Sequence, residues 1–312
     1  MSADVVLVTG LGGLIGGALA RRLAAEGRRV IASDRSPLGG MPFPVIEHDL
    51  PEPHRWHDII ARFGVTKVVH AGGISGPMLL RDQPARICDI NLQGLTGLLE
   101  AARIHGLRRI VWFSSITAYG ERPNLEPVSE ETPLQPTTIY AATKAAGEAL
   151  LTGYHAEHGV DAIALRVASC YGPGRSTSCV IRTIVEDGLA GTITAVKDRP
   201  DHTRQHVFVD DVVDAVVSAL DAAVLPQRIY NIGPGRAQPL AEIAAEIRRA
   251  VPGAAIEIRE GGLAWNTFGI GPMVIDAARR DLGFKPRTSL AEGAARTKAW
   301  VEERRTSNEH PR

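Results

Sequence analysis

Cysteine, unbalanced charge and long apolar runs are all scarce in this chain, and each shortage closes off a class of protein. Three cysteines, at 88, 170 and 179, are too few and too scattered for a disulfide framework or a zinc site. They fit a reduced, cytoplasmic protein. Acidic and basic residues balance at 35 each. The basic ones are mostly arginine, and no basic stretch is long enough to track a phosphate backbone, which argues against a nucleic-acid partner. No apolar run approaches the roughly 20 residues that span a bilayer. The chain enters an apolar strand after four residues, and the expectation is that no charged leader precedes it. Internal repeats and low-complexity segments are also missing.

What is there is a long chain of 312 residues, 44% of them hydrophobic, enough for a large core. Val5 to Val8 is a short β-branched apolar run that ends at a glycine-rich turn. Leu14 to Ala25 then has helical spacing, with Gly27 beyond its end. Further strands are expected at Arg29–Ser33, Lys67–His70, Arg109–Phe113 and Asp161–Arg166. Helical patterns cover Pro84–His105 and Thr138–His158, closed by Gly106 and Gly159. Strands alternating with helices at this spacing predict a parallel, doubly wound α/β fold of the Rossmann type. After Tyr171 the pattern weakens. Helices are expected at Ser178–Ala190, Val209–Ala223, Leu240–Ala250 and Leu290–Glu303, and strands at Thr192–Val196, Arg228–Ile232 and Ala255–Ile258. Thr306 to Arg312 are polar and expected to fray. The division expected is a dinucleotide-binding domain over residues 1–170 and a smaller, mostly substrate-binding C-terminal lobe over 171–312, with segments around 204–232 returning to the main domain.

The turn after the first strand reads Gly10-Leu11-Gly12-Gly13-Leu14-Ile15-Gly16. Glycines allow backbone amides to approach a pyrophosphate, and the following helix N-terminus points its positive end at the same phosphates. Asp34 ends the second strand, 18 positions after Gly16. A carboxylate there accepts hydrogen bonds from an adenosine ribose and repels a 2′-phosphate, which favours NAD over NADP. Arg35, next to it, is the residue that could reverse this choice by pairing with a 2′-phosphate. Asp34 read blandly is only a turn former.

Tyr140 and Lys144 sit at i and i+4, on one face of a predicted helix. A phenol has an ordinary pKa near 10, and a neighbouring ammonium favours its phenolate. Such a pair can exchange a proton with an alcohol. Ser114-Ser115-Ile116-Thr117 ends another expected parallel strand, where ligand sites of open α/β sheets lie.

Taken in order and spacing, Gly10-x-x-Gly13-x-x-Gly16, Ser114-Ser115 and Tyr140-x-x-x-Lys144 resemble the NAD-dependent epimerase/dehydratase family of extended short-chain dehydrogenases. Arg204 to Asp211, Tyr230-Asn231-Ile232-Gly233 and Leu282-Gly283-Phe284-x-Pro286 resemble its later landmarks, so the likeness runs through nearly the whole chain. The resemblance implies Tyr140 as acid/base, Lys144 as ribose ligand and pKa modulator, and Ser115 as the hydroxyl that orients substrate, assisted by Thr117. It implies Asp49-Leu50 beside the adenine, Ala71-Gly72-Gly73 beside the cofactor, and a homodimer built from the Pro84–His105 and Thr138–His158 helices. Two departures narrow the substrate. Ser115 is followed by Ile116 and Thr117, not by the Asp-Glu of the family's sugar dehydratases. Ser169 stands where nucleotide-sugar enzymes commonly carry Asn. Ser75, Ser169, Arg175 and Arg204 are candidate substrate contacts; Arg204 could instead be an arginine paired with a nearby Asp. His202 and His206 lack a third partner at metal-ligand spacing, so no metal is expected. Trp265 and Phe268 are expected to pack the C-terminal lobe. The function implied is NAD-dependent hydride transfer at a secondary alcohol of a sugar, sugar acid or polyol. Its alternatives are a nucleotide-sugar epimerase with transient NADH, and a non-catalytic NAD-binding scaffold.

Overall fold

The computed structural model describes residues 4–36, 38–122, 124–198, 202–261 and 269–309. Trp265 and Phe268 lie outside them. In chain order the first half runs β1 (Val5–Thr9), α1 (Leu14–Ala25), β2 (Arg29–Asp34), β3 (Val45–Glu47), α2 (Pro53–Phe63), β4 (Lys67–His70), α3 (Pro84–Cys88), α4 (Gly94–His105), β5 (Arg109–Ser115), α5 (Ile139–His158) and β6 (Ala162–Val167). The second half runs β7 (Ser169–Tyr171), α6 (Val180–Ala190), β8 (Thr194–Lys197), β9 (Thr203–Arg204), β10 (His206–Phe208), α7 (Val209–Asp221), β11 (Ile229–Ile232), β12 (Gln238–Pro239), α8 (Leu240–Arg248), β13 (Ile256–Arg259), α9 (Asp276–Leu282) and α10 (Leu290–Glu309).

Seven strands form one parallel sheet in the order β11-β6-β5-β4-β1-β2-β3. A parallel sheet covered on both faces needs apolar side chains on both sides of each strand. The strands show it residue by residue. Val6 and Val8 of β1 enter one core layer with Val69, Val111, Phe113 and Leu165. Val5 and Leu7 enter the other, with Val68, Ile110 and Trp112. Helices α1 and α7 pack together on the first face, and α2, α4 and α5 on the second. Strand β11 joins the sheet beside β6. Past it, α6, α8 and α10 pack on one another, and β8 pairs with β13. Asp211 on α7 ties down the approach to α10 by accepting from the Arg287 and Thr288 amides at 2.9 and 3.2 Å.

Three elements depart from the sequence expectation, the first two with physical reasons. The segment 84–105 is not one α-helix: Asp89–Gln93 form a π-turn between α3 and α4. Such turns carry an extra residue and cluster at functional sites. Helix α2, unforeseen, is bounded by Pro53 in its first turn and by Gly64 in a left-handed C-terminal position. Helix α10 continues to Glu309, past the expected fraying point at Thr306. No helix among the described residues is long and apolar enough to cross a membrane.

Beneath the sheet's C-terminal edge lies a buried ion pair. Glu148 of α5 meets Arg166 of β6 at 2.8 and 2.6 Å, with both side chains 3% exposed. Ser114 of β5 donates to the same carboxylate at 2.5 Å. The other side of Arg166 donates to the Tyr119 hydroxyl at 2.9 Å, and that hydroxyl donates to Asn231 of β11 at 2.7 Å. Removing one member leaves the other charge buried without its partner. Glu148→Ala should therefore lower stability by about 3–5 kcal/mol, measured by urea unfolding.

Two histidines, His48 and His70, are only 2% exposed. Burial drives both away from their charged forms, to a pKa of about 4 for His48 and about 3 for His70. In the unfolded chain both titrate near 6.5. Their stabilising effect is thus complete above that value and is lost as pH falls through about 4 and about 3, where the folded state takes up the protons. Near pH 5 the unfolded state holds two more protons, so stability should fall by roughly 3 kcal/mol per pH unit. A series of urea midpoints from pH 7 to 4 measures this slope, and His70→Gln should make it shallower.

Candidate active site

A cleft of about 570 Å³ opens along the C-terminal ends of β1, β2, β4 and β5 and continues to β7. Its first end is built by the glycine turn. Gly10 has φ +71°, and a β-carbon on it would lie 2.7 Å from the Ala71 carbonyl oxygen. A β-carbon on Gly16 would collide with the Gly10 carbonyl, so α1 seats directly on the turn. Gly13 caps α1 without any side chain, leaving the amides of its first turn directed at the cleft. Asp34 closes the end of β2: its carboxylate accepts from the Gly12 amide and the Arg35 amide, each at 2.8 Å. Gly12, Gly13, Leu14, Ile15 and Arg35 all line the cleft with it, as do Asp49 and Leu50 on the far wall. This is the shape and polarity that a pyrophosphate and an adenosine ribose require, so these residues fit NAD.

The floor comes from β4. Thr9 receives the Gly72 amide at 2.9 Å and pairs with His70 Nδ1 at 2.8 Å, fixing Ala71-Gly72-Gly73 against the glycine turn. The next residues are held from below. Asn91, in the π-turn, accepts from the Ile74 amide at 2.8 Å and donates to Thr143 of α5 at 3.0 Å. Sequence reasoning passed over Asn91, and also His48 and His70, which line the cleft. An Asn inside a helical pattern was a signal, because its side chain competes for backbone groups. The two histidines carry no distinguishing spacing.

The second end of the cleft holds Ser115, Thr117, Tyr140 and Lys144 together. Thr138 caps α5 by accepting from the Ala141 amide at 3.1 Å, which sets the helix's first turn, and with it Tyr140, over β5. Ser115 accepts from the Thr117 hydroxyl at 2.9 Å. Burial raises the Tyr140 phenol, opposed by a hydrogen bond with Ser115 and the positive charge of Arg175. Lys144 donates to the Phe113 carbonyl at 2.9 Å, and its ammonium lies 4.6 Å over the Trp112 ring. Burial lowers its pKa to about 8, with Glu148 pulling the other way. The arrangement can hold an alcohol oxygen between a hydroxyl and a phenol, next to an ammonium.

Of the substrate candidates, Ser75, Thr117, Ser169 and Arg175 line this end, whereas Arg204 does not. Arg204 is bound to Asp198 at 2.5 Å, and Asp198 also takes His202 at 2.7 Å. Its charge is matched by a fully buried carboxylate, the alternative that the sequence left open.

Residues 6–233 match the model of the NAD dependent epimerase/dehydratase family. A UDP-glucose 4-epimerase from Mycolicibacterium smegmatis is 32% identical over 304 residues, covering 93% of this chain and 96% of that protein. Among solved structures, a UDP-glucose 4-epimerase from Thermus thermophilus in complex with NAD aligns with a TM-score of 0.84 at 27% identity, covering 95% of this chain and 98% of that one. The holo form of an L-threonine dehydrogenase from Cupriavidus necator aligns with a TM-score of 0.87 at 28% identity, covering 95% and 99%. The cleft geometry and these likenesses agree that the protein is an enzyme that uses NAD, and the chain belongs to the NAD-dependent epimerase/dehydratase family.

Proposed function

We propose that the enzyme moves hydride at a secondary alcohol of a sugar, sugar acid or related polyol, with net dehydrogenation. The observation that carries this reading is the meeting of Ser115, Tyr140 and Lys144 in one cleft with the glycine turn. NAD, when bound, supplies the hydride acceptor. Ser115 holds the substrate hydroxyl, and Tyr140 takes its proton as the carbon loses hydride and becomes a carbonyl carbon. Lys144, steered by Phe113 and Trp112, holds the cofactor ribose and favours the phenolate. Residues 1–170 would bind NAD and carry this group. The lobe within 171–312 would bind the substrate, while α7 and β11, both within 204–232, pack with and join the main sheet. The enzyme would work in the cytoplasm as a homodimer formed through the helices of 84–105 and α5, as the family likeness implies.

A second reading is favoured by the UDP-glucose 4-epimerase at 32% identity: a nucleotide-sugar epimerase that returns hydride to the other face. Both readings share the first half-reaction. Purified protein with NAD and a panel of sugars, sugar acids and nucleotide sugars separates them. Accumulating NADH supports dehydrogenation; an inverted product without net NADH supports epimerisation. Tyr140→Phe should bind NAD normally and lose at least about 100-fold in turnover. If wild type binds NAD and turns over nothing in the panel, the scaffold alternative moves to the front.

Asp34 is proposed to select NAD by receiving the adenosine ribose and repelling a 2′-phosphate. Asp34→Ala should weaken NAD binding and narrow the preference over NADP by about 10-fold or more, read from paired binding isotherms. Unchanged selectivity would make Asp34 a turn residue, its carboxylate serving only the Gly12 and Arg35 amides.

A further inference from the structure

The substrate end of the cleft mixes apolar side chains with a set of hydroxyls: Ser75, Ser115, Thr117, Ser169, Ser176 and Thr177 all line it. Arg175 is the guanidinium among them. The two arginines among the candidate substrate contacts have taken opposite courses. Arg204 is neutralised by Asp198 and stands away from the cleft. Arg175 is held by three neutral oxygens: the Cys170 carbonyl, the Ser178 carbonyl at 3.0 Å and the Thr177 hydroxyl at 3.2 Å. Its own carbonyl is gripped by Arg182 at 2.5 Å, so the loop that carries it is fixed at several points.

These bonds orient the guanidinium without cancelling its charge. A guanidinium has five N–H donors. The three in use leave one on each terminal nitrogen, the number a carboxylate takes in a two-pronged pairing. The charge also reaches the reacting group, since Arg175 pulls the Tyr140 phenol downward.

We infer that Arg175 is a specificity-determining residue that receives the carboxylate of the substrate, and that the substrate is a sugar acid, with its hydroxyls placed among the surrounding serines and threonines. This rests on the reading of Tyr140 and Ser115 given above and names the substrate class for that site. A nucleotide diphosphate carries more negative charge than a single guanidinium answers, and Arg204 is already committed. A neutral sugar leaves a half-buried cation without a counter-charge.

The test compares kcat/KM for uronates and aldonates with matched neutral sugars and polyols, in wild type and in Arg175→Gln, following NADH. Wild type should favour the acid by roughly 10- to 100-fold, the worth of a hydrogen-bonded charge pair. Arg175→Gln should bring that ratio close to one, mainly through KM, with NAD affinity and thermal midpoint read alongside. A non-reacting small carboxylate should compete with substrate in wild type and lose that effect in the variant. The inference is overturned if wild type forms NADH with neutral sugars as readily as with acids, or if an intact Arg175→Gln keeps the preference; the Tyr140 reading survives either result. If only nucleotide sugars react, and with inversion, the sugar-acid inference and the net-dehydrogenation reading both fall, while Tyr140 keeps its part in the shared first half-reaction. Should Arg175→Gln not fold, the wild-type ratio and the carboxylate competition decide the matter.

Discussion

The ion pair between Glu148 and Arg166 sets the register of the whole reacting end. Glu148 lies on the helix that carries Tyr140 and Lys144, each one turn apart, and Arg166 lies on the strand beside Ser115's own. The pair therefore locks α5 against β5 and β6 at the level where a proton must pass. Ser114 adds a third anchor from the strand itself. Desolvating both charges is costly, and the return is positional: a carboxylate gripped at both oxygens has little freedom to slide. Through Tyr119 and Asn231 the same network reaches the edge strand β11. Misplacing α5 by one residue would turn Tyr140 away from Ser115 and strand Glu148 in apolar surroundings, so the fold and the chemistry share one registration device.

The reacting groups themselves are kept dry. Tyr140 and Lys144 are 6% exposed, and burial pushes each toward its neutral form. Lys144, lowered to about 8, stands nearer the balance of its two protonation states, whereas Tyr140 is held as the neutral phenol that can give a proton back. Trp112 supports the ammonium from beneath with its ring face, and α5 can approach that ring only because Gly147 has no side chain: a β-carbon there would overlap the indole. Charge at this end is thus settled by aromatic and carbonyl partners, with the full negative charge of Glu148 kept one turn away.

How much of this could be read beforehand depended on whether a feature is local. The central strands were legible because a sheet covered on both faces demands continuous apolar runs, and β1, β4 and β5 comply. Tyr140 and Lys144 were legible because helical spacing alone puts them on one face. Arg204 was not, since its fate depended on meeting Asp198, a contact that spacing alone does not fix. The π-turn was hidden because Asn91 sits in a sequence that reads as uninterrupted helix, and only its tertiary bonds to Ile74 and Thr143 explain the break. Helix α2 carried its own signals at Pro53 and Gly64, but its polar, histidine-rich sequence obscured the apolar stripe of Trp56, Ile59 and Ile60. Arg175 could be singled out by sequence, yet the neutrality of its partners appears only once the loop is folded.

The placement of β11 sets an order of events during synthesis. Six of the sheet's seven strands, and every group at the reacting end, are made by residue 177, whereas β11 arrives only at residues 229–232. Until then the nascent sheet presents β6 as an open edge, and Arg166 and Tyr119 wait for Asn231. An unpaired buried-type strand is a template for pairing with another chain. The enzyme's most vulnerable moment is therefore this interval on the ribosome, roughly five seconds long at about 10 residues per second, when the catalytic groups exist but the sheet is not yet closed.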